Sequence, residues 1–364
     1  MTAARPESAP YHWRMTMKRE LGSLAKHRAY LGLPPKKGSV VPFPCDPAPV
    51  FATQVKGLAT RLKAIKCRDV VIGLSGGLDS TLALLVADAA FAKLGYDKRG
   101  IHVYTMPGFG TSKRTKGNAD LLCEGLGLKL ETISIVKSVR QHLKDIGHDG
   151  KTPDVTYENA QARMRTMILM DKANMTGGIV IGTGDLSEIA LGWSTYNGDH
   201  MSMFAVNNDV PKTVIRRVCQ WWANRASSLP SSVSCPQPRL AAQAILDIIA
   251  TPVSPELVKG QVTEDKIGPY ELHDFFLWNF VMNEMGSNDL QKAAEQYFSG
   301  RQTLDGRPET FSRDVIAKTL KTFMWRFFTQ AFKRNCQPDG VKVFPFELSL
   351  RDWWIPSDLG FVKL

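Results

Sequence analysis

Ser75-Gly76-Gly77-Leu78-Asp79-Ser80 is the stretch on which the fold of this chain turns. Before it stands Val70-Val71-Ile72-Gly73-Leu74, a short β-branched run bounded by glycines that reads as a buried strand, and after it residues 79–94 read as a helix. Two glycines let the backbone turn sharply and aim successive N–H groups into one concavity, to which the helix start adds the positive end of its dipole. Ser75 and Ser80 add hydroxyl donors. The loop is a cradle for an anion and best suits pyrophosphate. It is not the GxxxxGK[ST] loop, because no lysine precedes Ser80, so positive charge must come from elsewhere in the fold. Asp79 would repel phosphate unless a cation such as Mg²⁺ intervened. The plainer alternative is a tight strand-to-helix turn with Asp79 as its N-cap.

Outward from this loop the pattern alternates. Residues 101–106, 130–135 and 178–182 read as strands, and residues 118–126, 136–146 and 155–175 as helices. Ahead of the first strand, Val55, Leu58, Leu62 and Ile65 stand at helical spacing. Such alternation predicts an α/β fold, a doubly wound parallel sheet covered on both faces, with ligands beyond the carboxyl ends of the strands. After residue 182 the character changes. A helix over 210–222 capped by Asp209, a Ser/Pro-rich loop over 227–238, and helices over 241–249, 270–285 and 312–333 predict additional C-terminal helices. Residues 1–50, with eight prolines around one basic stretch at 15–30, read as an arm or linker, and residues 51–364 as the folded domain.

Composition sets limits on function. The chain has 364 residues, 43% of them hydrophobic, enough for a full core, and no apolar run long enough to span a bilayer. The N-terminus lacks the basic-then-apolar build of a signal peptide, so the expectation is a cytoplasmic protein with no membrane partner. Six cysteines at wide spacing, with no CxxC pair, suggest neither a zinc site nor a disulfide framework. The formal charge of +11 is spread along the chain and is compatible with a solvated surface, nucleic acid or small polyanions.

Ser75 to Ser80 resembles the pyrophosphate loop of the ATP pyrophosphatases, enzymes in which the α-phosphorus of ATP is attacked and pyrophosphate leaves. Further segments narrow this: Met106-Pro-Gly-Phe-Gly-Thr-Ser112, Tyr157-Glu-Asn-Ala-Gln-Ala-Arg163, Gly182-Thr-Gly-Asp-Leu-Ser-Glu-Ile-Ala-Leu-Gly-Trp-Ser-Thr-Tyr196, Val210-Pro-Lys-Thr213 and Thr263-Glu-Asp-Lys-Ile-Gly-Pro-Tyr-Glu-Leu-His-Asp-Phe-Phe276. In this order they resemble the synthetase portion of bacterial glutamine-dependent NAD synthetase, across most of residues 51–340. The resemblance implies an ATP pyrophosphatase fold, adenylation of deamido-NAD, and amidation of the adenylate by ammonia to give NAD. It implies ATP as substrate, held by Ser75, Gly76, Gly77, Leu78, Asp79, Ser80, Thr183 and Lys212, with Mg²⁺ on Asp79 and Glu188. It implies deamido-NAD contacts from Asn159, Arg163, Glu188, Trp193, Ser194, Thr195, Tyr196 and Lys333, and a homodimer.

The residues allow these roles and also plainer ones. Asp185 and Glu188 follow a strand at the ligand edge, and they equally suit an N-cap and a first-turn dipole partner. Lys212 in a first helical turn opposes the dipole, so a nearby anion would explain it. Asn159 and Arg163, four apart, share a helix face. Trp193 suits either a stacking platform or core packing. Asp199 is the candidate for orienting or deprotonating ammonia, or it forms a turn with Asn197 and Gly198. The segment 263–270 suits a loop closing over a site or an interhelix turn, and His273 in the apolar helix beyond it reads as structural.

The two-domain relatives release ammonia in an N-terminal carbon–nitrogen hydrolase domain, and nothing before Ser75 here is long enough to be one. The expectation is therefore dependence on free ammonium or on a separate glutaminase subunit. A tRNA-modifying pyrophosphatase would share the loop but wants an RNA-binding appendage or a catalytic cysteine pair, so nucleic acid is not the expected partner. An inactive nucleotide-binding remnant is the non-enzyme alternative.

Overall fold

The computed structural model describes residue 43 and residues 45–349, apart from 233–234, 255–256, 259, 261 and 300–309. The expected arm lies outside the described residues up to position 42, including its basic stretch at 15–30. The first helix, α1 (Pro47–Ala64), begins just inside the arm boundary expected at residue 50, with the Asp46 carboxylate accepting the Ala48 amide as its N-cap. Phe43 also belongs to the core, against Trp278 and Phe344.

Five parallel strands form one sheet in the order β3-β2-β1-β4-β5: β1 (Val70–Gly73), β2 (Ile101–Thr105), β3 (Leu130–Thr132), β4 (Ile179–Gly182) and β5 (Phe204–Ala205). Val70 pairs with Ile101 on one side and with Ile179 on the other. Val70, Val71 and Ile72 are wholly buried, and each such side chain contributes about 1.5–3 kcal/mol relative to exposure. After β1 the strand order proceeds outward in opposite directions, to β2 on one side and β4 on the other. This β1/β4 boundary is the topological switch point, where the loops beyond adjacent strand ends diverge and leave a crevice.

Helices α2 (Leu78–Leu94), α3 (Lys113–Leu126), α4 (Val136–Asp145), α5 (Val155–Thr176), α6 (Leu186–Leu191), α7 (Lys212–Ser227) and α8 (Pro238–Ile249) link and cover these strands. α2 is apolar on nearly every face, which fits its place as a buried helix, and it stops at Gly95 in the left-handed region. Its N-cap is Gly77, not Asp79. The C-terminal helices are α9 (Thr263–Ile267), α10 (Tyr270–Met282), α11 (Ser287–Tyr297) and α12 (Arg313–Thr329), followed by a 3₁₀ turn, Ala331–Cys336. The start of α6 is the cap that Asp185 and Glu188 allow, whereas α11 and the two-residue β5 have no separate signal in the sequence.

One expected cap is corrected. α7 starts at Lys212 with Pro211 at its N-cap, and Asp209 does not cap it. The Asp209 carboxylate instead accepts the amides of Val343 (2.6 Å) and Phe344 (2.5 Å), fastening the chain beyond α12 to the loop after β5. That returning segment also pairs in parallel with β5 at Ala205 and Gly340. The first turn of α7 is closed by Asp274 of α10, whose carboxylate accepts the amide and hydroxyl of Thr213.

Candidate active site

The Ser75–Ser80 loop forms the turn its glycines predict. Gly76 has φ +81°, and a Cβ there would come within 2.3 Å of the Thr115 carbonyl oxygen, so only glycine fits. The hydroxyls of Ser75 and Ser80 lie 3.0 Å apart, and Ser75 Oγ also accepts the Gly77 amide. The loop forms one wall of a cavity of about 600 Å³ that also opens onto Thr115, Asn159, Thr183, Glu188, Asp199 and Lys333.

Two strand ends bring three carboxylates together at the switch point. Asp79 follows β1, and Asp185 and Glu188 follow β4; one oxygen from each lies within 4.8 Å of the others. The Lys212 ammonium sits among them, 2.6 Å from Asp79 Oδ2, 2.6 Å from Asp185 Oδ2 and 3.0 Å from Glu188 Oε1. This buried lysine is paired within the acidic cluster and does not itself line the cavity. It lies 5.3 Å from the centre of the Tyr270 ring, whose face favours a cation. The backbone of Lys212 is fixed as well, its amide donating to Ser187 Oγ at 2.8 Å.

Charge imbalance shapes the titration of the cluster. Withdrawal from solvent, reinforced by Asp79 and Asp199 and opposed by Lys212, lifts Glu188 to about 7. Burial likewise holds Asp185 well above the usual carboxylate range. Although burial alone would favour a neutral amine, the three acidic partners raise Lys212 well above an ordinary lysine. With all four groups charged the cluster carries a formal −2, from three carboxylates and one ammonium. Asp79 Oδ1 is buried without a hydrogen-bond partner. A divalent cation would suit both the charge and the orphaned oxygen, so the donor set fits an ion such as Mg²⁺.

Asp185 enters this set in addition to Asp79 and Glu188. Its other oxygen accepts the Glu188 amide at 2.8 Å, so it is the N-cap of α6 and a member of the acidic cluster at once. Its local Asp-x-x-Glu spacing satisfies a cap, which is why that spacing alone does not disclose the second role.

Most of the remaining expected residues converge on the segment 192–199. The hydroxyl of Thr195 donates to Asn159 Oδ1 at 2.8 Å, and its amide donates to Asp199 Oδ1 at 2.7 Å. Burial raises Asp199 above the ordinary aspartate range. Lys333, in the 3₁₀ turn, donates to the carbonyls of Gly192 (2.9 Å) and Ser194 (2.6 Å). Trp193 lines the cavity with the Arg326 guanidinium 4.7 Å from its ring centre. Arg163 and Tyr196 do not line it. The Arg163 guanidinium grips the Tyr196 carbonyl, while the Tyr196 ring stacks on His200 and its hydroxyl lies 3.1 Å from Cys336 Sγ.

Arg165, which the helix-face spacing passed over, lines the cavity and holds the Met106 carbonyl at 3.0 Å. Thr263 and Lys266 of α9 also reach the cavity, so the segment expected to cover a site borders one. His273 is buried in α10 with Nε2 at 2.9 Å from the Ile267 carbonyl, and burial pushes it down to about 4. That is a structural histidine. All six cysteines are free, and no helix among the described residues is long and apolar enough to cross a membrane.

A parallel sheet in this order, with a pyrophosphate-type loop and an acidic cluster at its switch point, defines an α/β protein of the ATP pyrophosphatase fold. The NAD synthase family model matches residues 50–298, and the chain belongs to that family. It is 40% identical over 331 residues to the glutamine-dependent NAD(+) synthetase of Mycobacterium leprae (strain TN), covering 85% of this chain and 47% of that protein. To the glutamine-dependent NAD(+) synthetase of Thermotoga maritima it is 31% identical over 319 residues, 87% of this chain and 49% of that one. The chain thus spans about half the length of these curated relatives. Among solved structures, a glutamine-dependent NAD(+) synthetase from Cytophaga hutchinsonii superposes with a TM-score of 0.63 at 17% identity, over 85% of this chain and 53% of that chain, a likeness of fold. The family match does not favour the tRNA-modifying alternative.

Proposed function

We propose that this chain carries out the synthetase reaction of NAD formation. The nicotinate carboxylate of deamido-NAD attacks the α-phosphorus of ATP, pyrophosphate leaves, and ammonia then displaces AMP from the acyl-adenylate to give the amide. The observation that carries this is the pair Asp79 and Glu188 on one cavity with the glycine-lined loop, Asn159, Thr195 and Lys333, with the buried Lys212 ammonium paired to both and to Asp185. Family membership supports the choice of ATP and deamido-NAD as substrates.

Mg²⁺ held by Asp79, Glu188 and Asp185 would offset the charge that builds up on the phosphates. The amides of the Gly76–Gly77 turn and the Ser75 and Ser80 hydroxyls hold the departing pyrophosphate. Lys212 keeps the three carboxylates in place and adds positive charge beneath the transferring phosphorus. Asn159, Trp193, Ser194, Thr195 and Lys333 orient the nicotinate end, with Arg163 and Tyr196 supporting that segment from behind. Asp199, on the same cavity, accepts a proton from the incoming ammonia. No covalent intermediate on the protein is required, so positioning and electrostatics supply most of the acceleration.

Ammonia is the immediate nitrogen nucleophile in this scheme. The relatives are named glutamine-dependent, so glutamine would serve only through a glutaminase, in a separate subunit or another part of the polypeptide. Pairing as a homodimer belongs to the same proposal. The test is conversion of ATP to AMP and pyrophosphate with deamido-NAD and Mg²⁺, comparing ammonium, glutamine and a bulk tRNA control. AMP release with NAD formation in the ammonium arm is expected. No deamido-NAD-dependent AMP in any arm would overturn the assignment, and glutamine turnover without added ammonium would overturn the donor.

A further inference from the structure

Asp79 and the Asp185/Glu188 pair come from different strand ends, and their like charges push those ends apart. Lys212 binds the side chains, but another residue ties the two backbones. Asn207, in the loop after β5 and wholly buried, donates from Nδ2 to the Asp79 carbonyl at 3.0 Å and to the Thr183 carbonyl at 3.3 Å. A primary amide has two N–H donors, and here one goes to each strand-end segment. The Asn207 oxygen is occupied as well, accepting Gln54 Nε2 at 3.0 Å. Gln54, buried in α1, also donates to the Val206 carbonyl at 2.9 Å.

Resting on the proposed function, we propose that Asn207 is a positioning residue. It sets the separation between the segment bearing Asp79 and the segment bearing Asp185 and Glu188, with Gln54 fixing the orientation of its amide. Both of its acceptors are backbone carbonyls, so the tie holds whatever the protonation of the carboxylates. Without it, beyond the β1–β4 pairing at Val70 and Val71, the spread of the strand ends is opposed chiefly by Lys212, and the spacing that a divalent ion needs is loosened. Residues that orient ligands in this way typically cost about 10–100-fold in metal affinity or activity when replaced.

The test uses the full chain freed of metal by chelation, as wild type, Asn207→Ala and Gln54→Met. Melting temperature is followed against MgCl₂ with and without ATP, and ATP-to-AMP turnover against MgCl₂ at saturating ATP. For Asn207→Ala the Mg²⁺ midpoint should rise on the order of 10-fold in both readouts, with kcat recovering at high Mg²⁺. Gln54→Met, which keeps both Asn207 donors, should shift the midpoint in the same direction by less. A purely structural Asn207 would lower the metal-free melting temperature and leave the Mg²⁺ midpoint unchanged, which would overturn the proposal. If Asn207→Ala does not fold, Gln54→Met decides, and an unshifted midpoint there overturns it. A wild-type chain indifferent to Mg²⁺ and ATP would sink the proposed function and this assignment together, whereas a responsive wild type with unshifted variants would sink only the role of Asn207.

Discussion

Lys212 and Asp185 meet at 2.6 Å with side-chain exposures of 1% and 0%, an ion pair closed off from solvent. Removing one partner of such a pair leaves an uncompensated buried charge and costs about 3–5 kcal/mol. Lys212→Ala should therefore lower stability by that order in EDTA, and added Mg²⁺ should return part of the loss by replacing the missing positive charge. Urea melts with and without Mg²⁺ measure both effects. Wild-type stability of the variant in EDTA would show that the ammonium does not hold the cluster.

The acidic groups give the metal-free protein a defined pH response. Glu188 rises from 4.5 to about 7 and Asp274 from 3.8 to about 6, and Asp185 is raised too. Since each of these folded values exceeds the unfolded one, the contribution of these carboxyls to stability falls as pH rises from about 4 to about 7, while the buried His273, lowered to about 4, contributes in the opposite sense over the same window. The raised Lys212 acts only above its ordinary value of 10.5 and stays outside the window. Glu188→Gln should flatten the decline by on the order of 2–3 kcal/mol. Denaturant midpoints at pH 5 and pH 7 in EDTA check this, and equal slopes for variant and wild type would contradict it.

Gly76→Ala should remove the phosphate cradle. Its positive φ costs an alanine about 1–3 kcal/mol, and the new methyl collides with the Thr115 carbonyl at the start of α3. Deamido-NAD-dependent pyrophosphate release should fall below detection while the circular dichroism spectrum stays folded. Retained pyrophosphate release would mean that the leaving group is bound elsewhere.

Lys333→Met should act on one substrate only. It removes the two bonds that shape the Gly192–Ser194 segment, and a charged hydrogen bond lost at this edge corresponds to about a 10-fold rise in KM for deamido-NAD. The KM for ATP, which the proposed function places at the loop after β1, should stay within about 2-fold. Equal rises in both constants would place Lys333 in general packing instead.

The sequence discloses what is local and repeats. β1, its glycine turn and α2 are contiguous, so residue type and spacing fix them together, and Lys212 stands out because a cation in a first turn asks for an anion. Contacts made across the chain leave no such trace. Asp209 sits where a cap would sit, yet its partners Val343 and Phe344 lie 134 and 135 residues away. Gln54 and Asn207 are separated by 153 positions, and each by itself reads as an ordinary polar residue. Asp185 was hidden differently, because a true cap explained it before its second oxygen could. β5 has only two residues, too few for any alternation to register.

The pairing of β5 with the returning segment also decides how the sheet ends. Ala205 donates to the Asp339 carbonyl at 2.8 Å and accepts the Val341 amide at 3.1 Å, so the outermost strand has its open side occupied. A chain cut ahead of Pro338 would uncover that rim and strand the Asp209 carboxylate without its two amides. Bare strand rims recruit other chains, so such a shortened protein should cluster on standing, visible by light scattering, even though every residue proposed to hold nucleotide is still present.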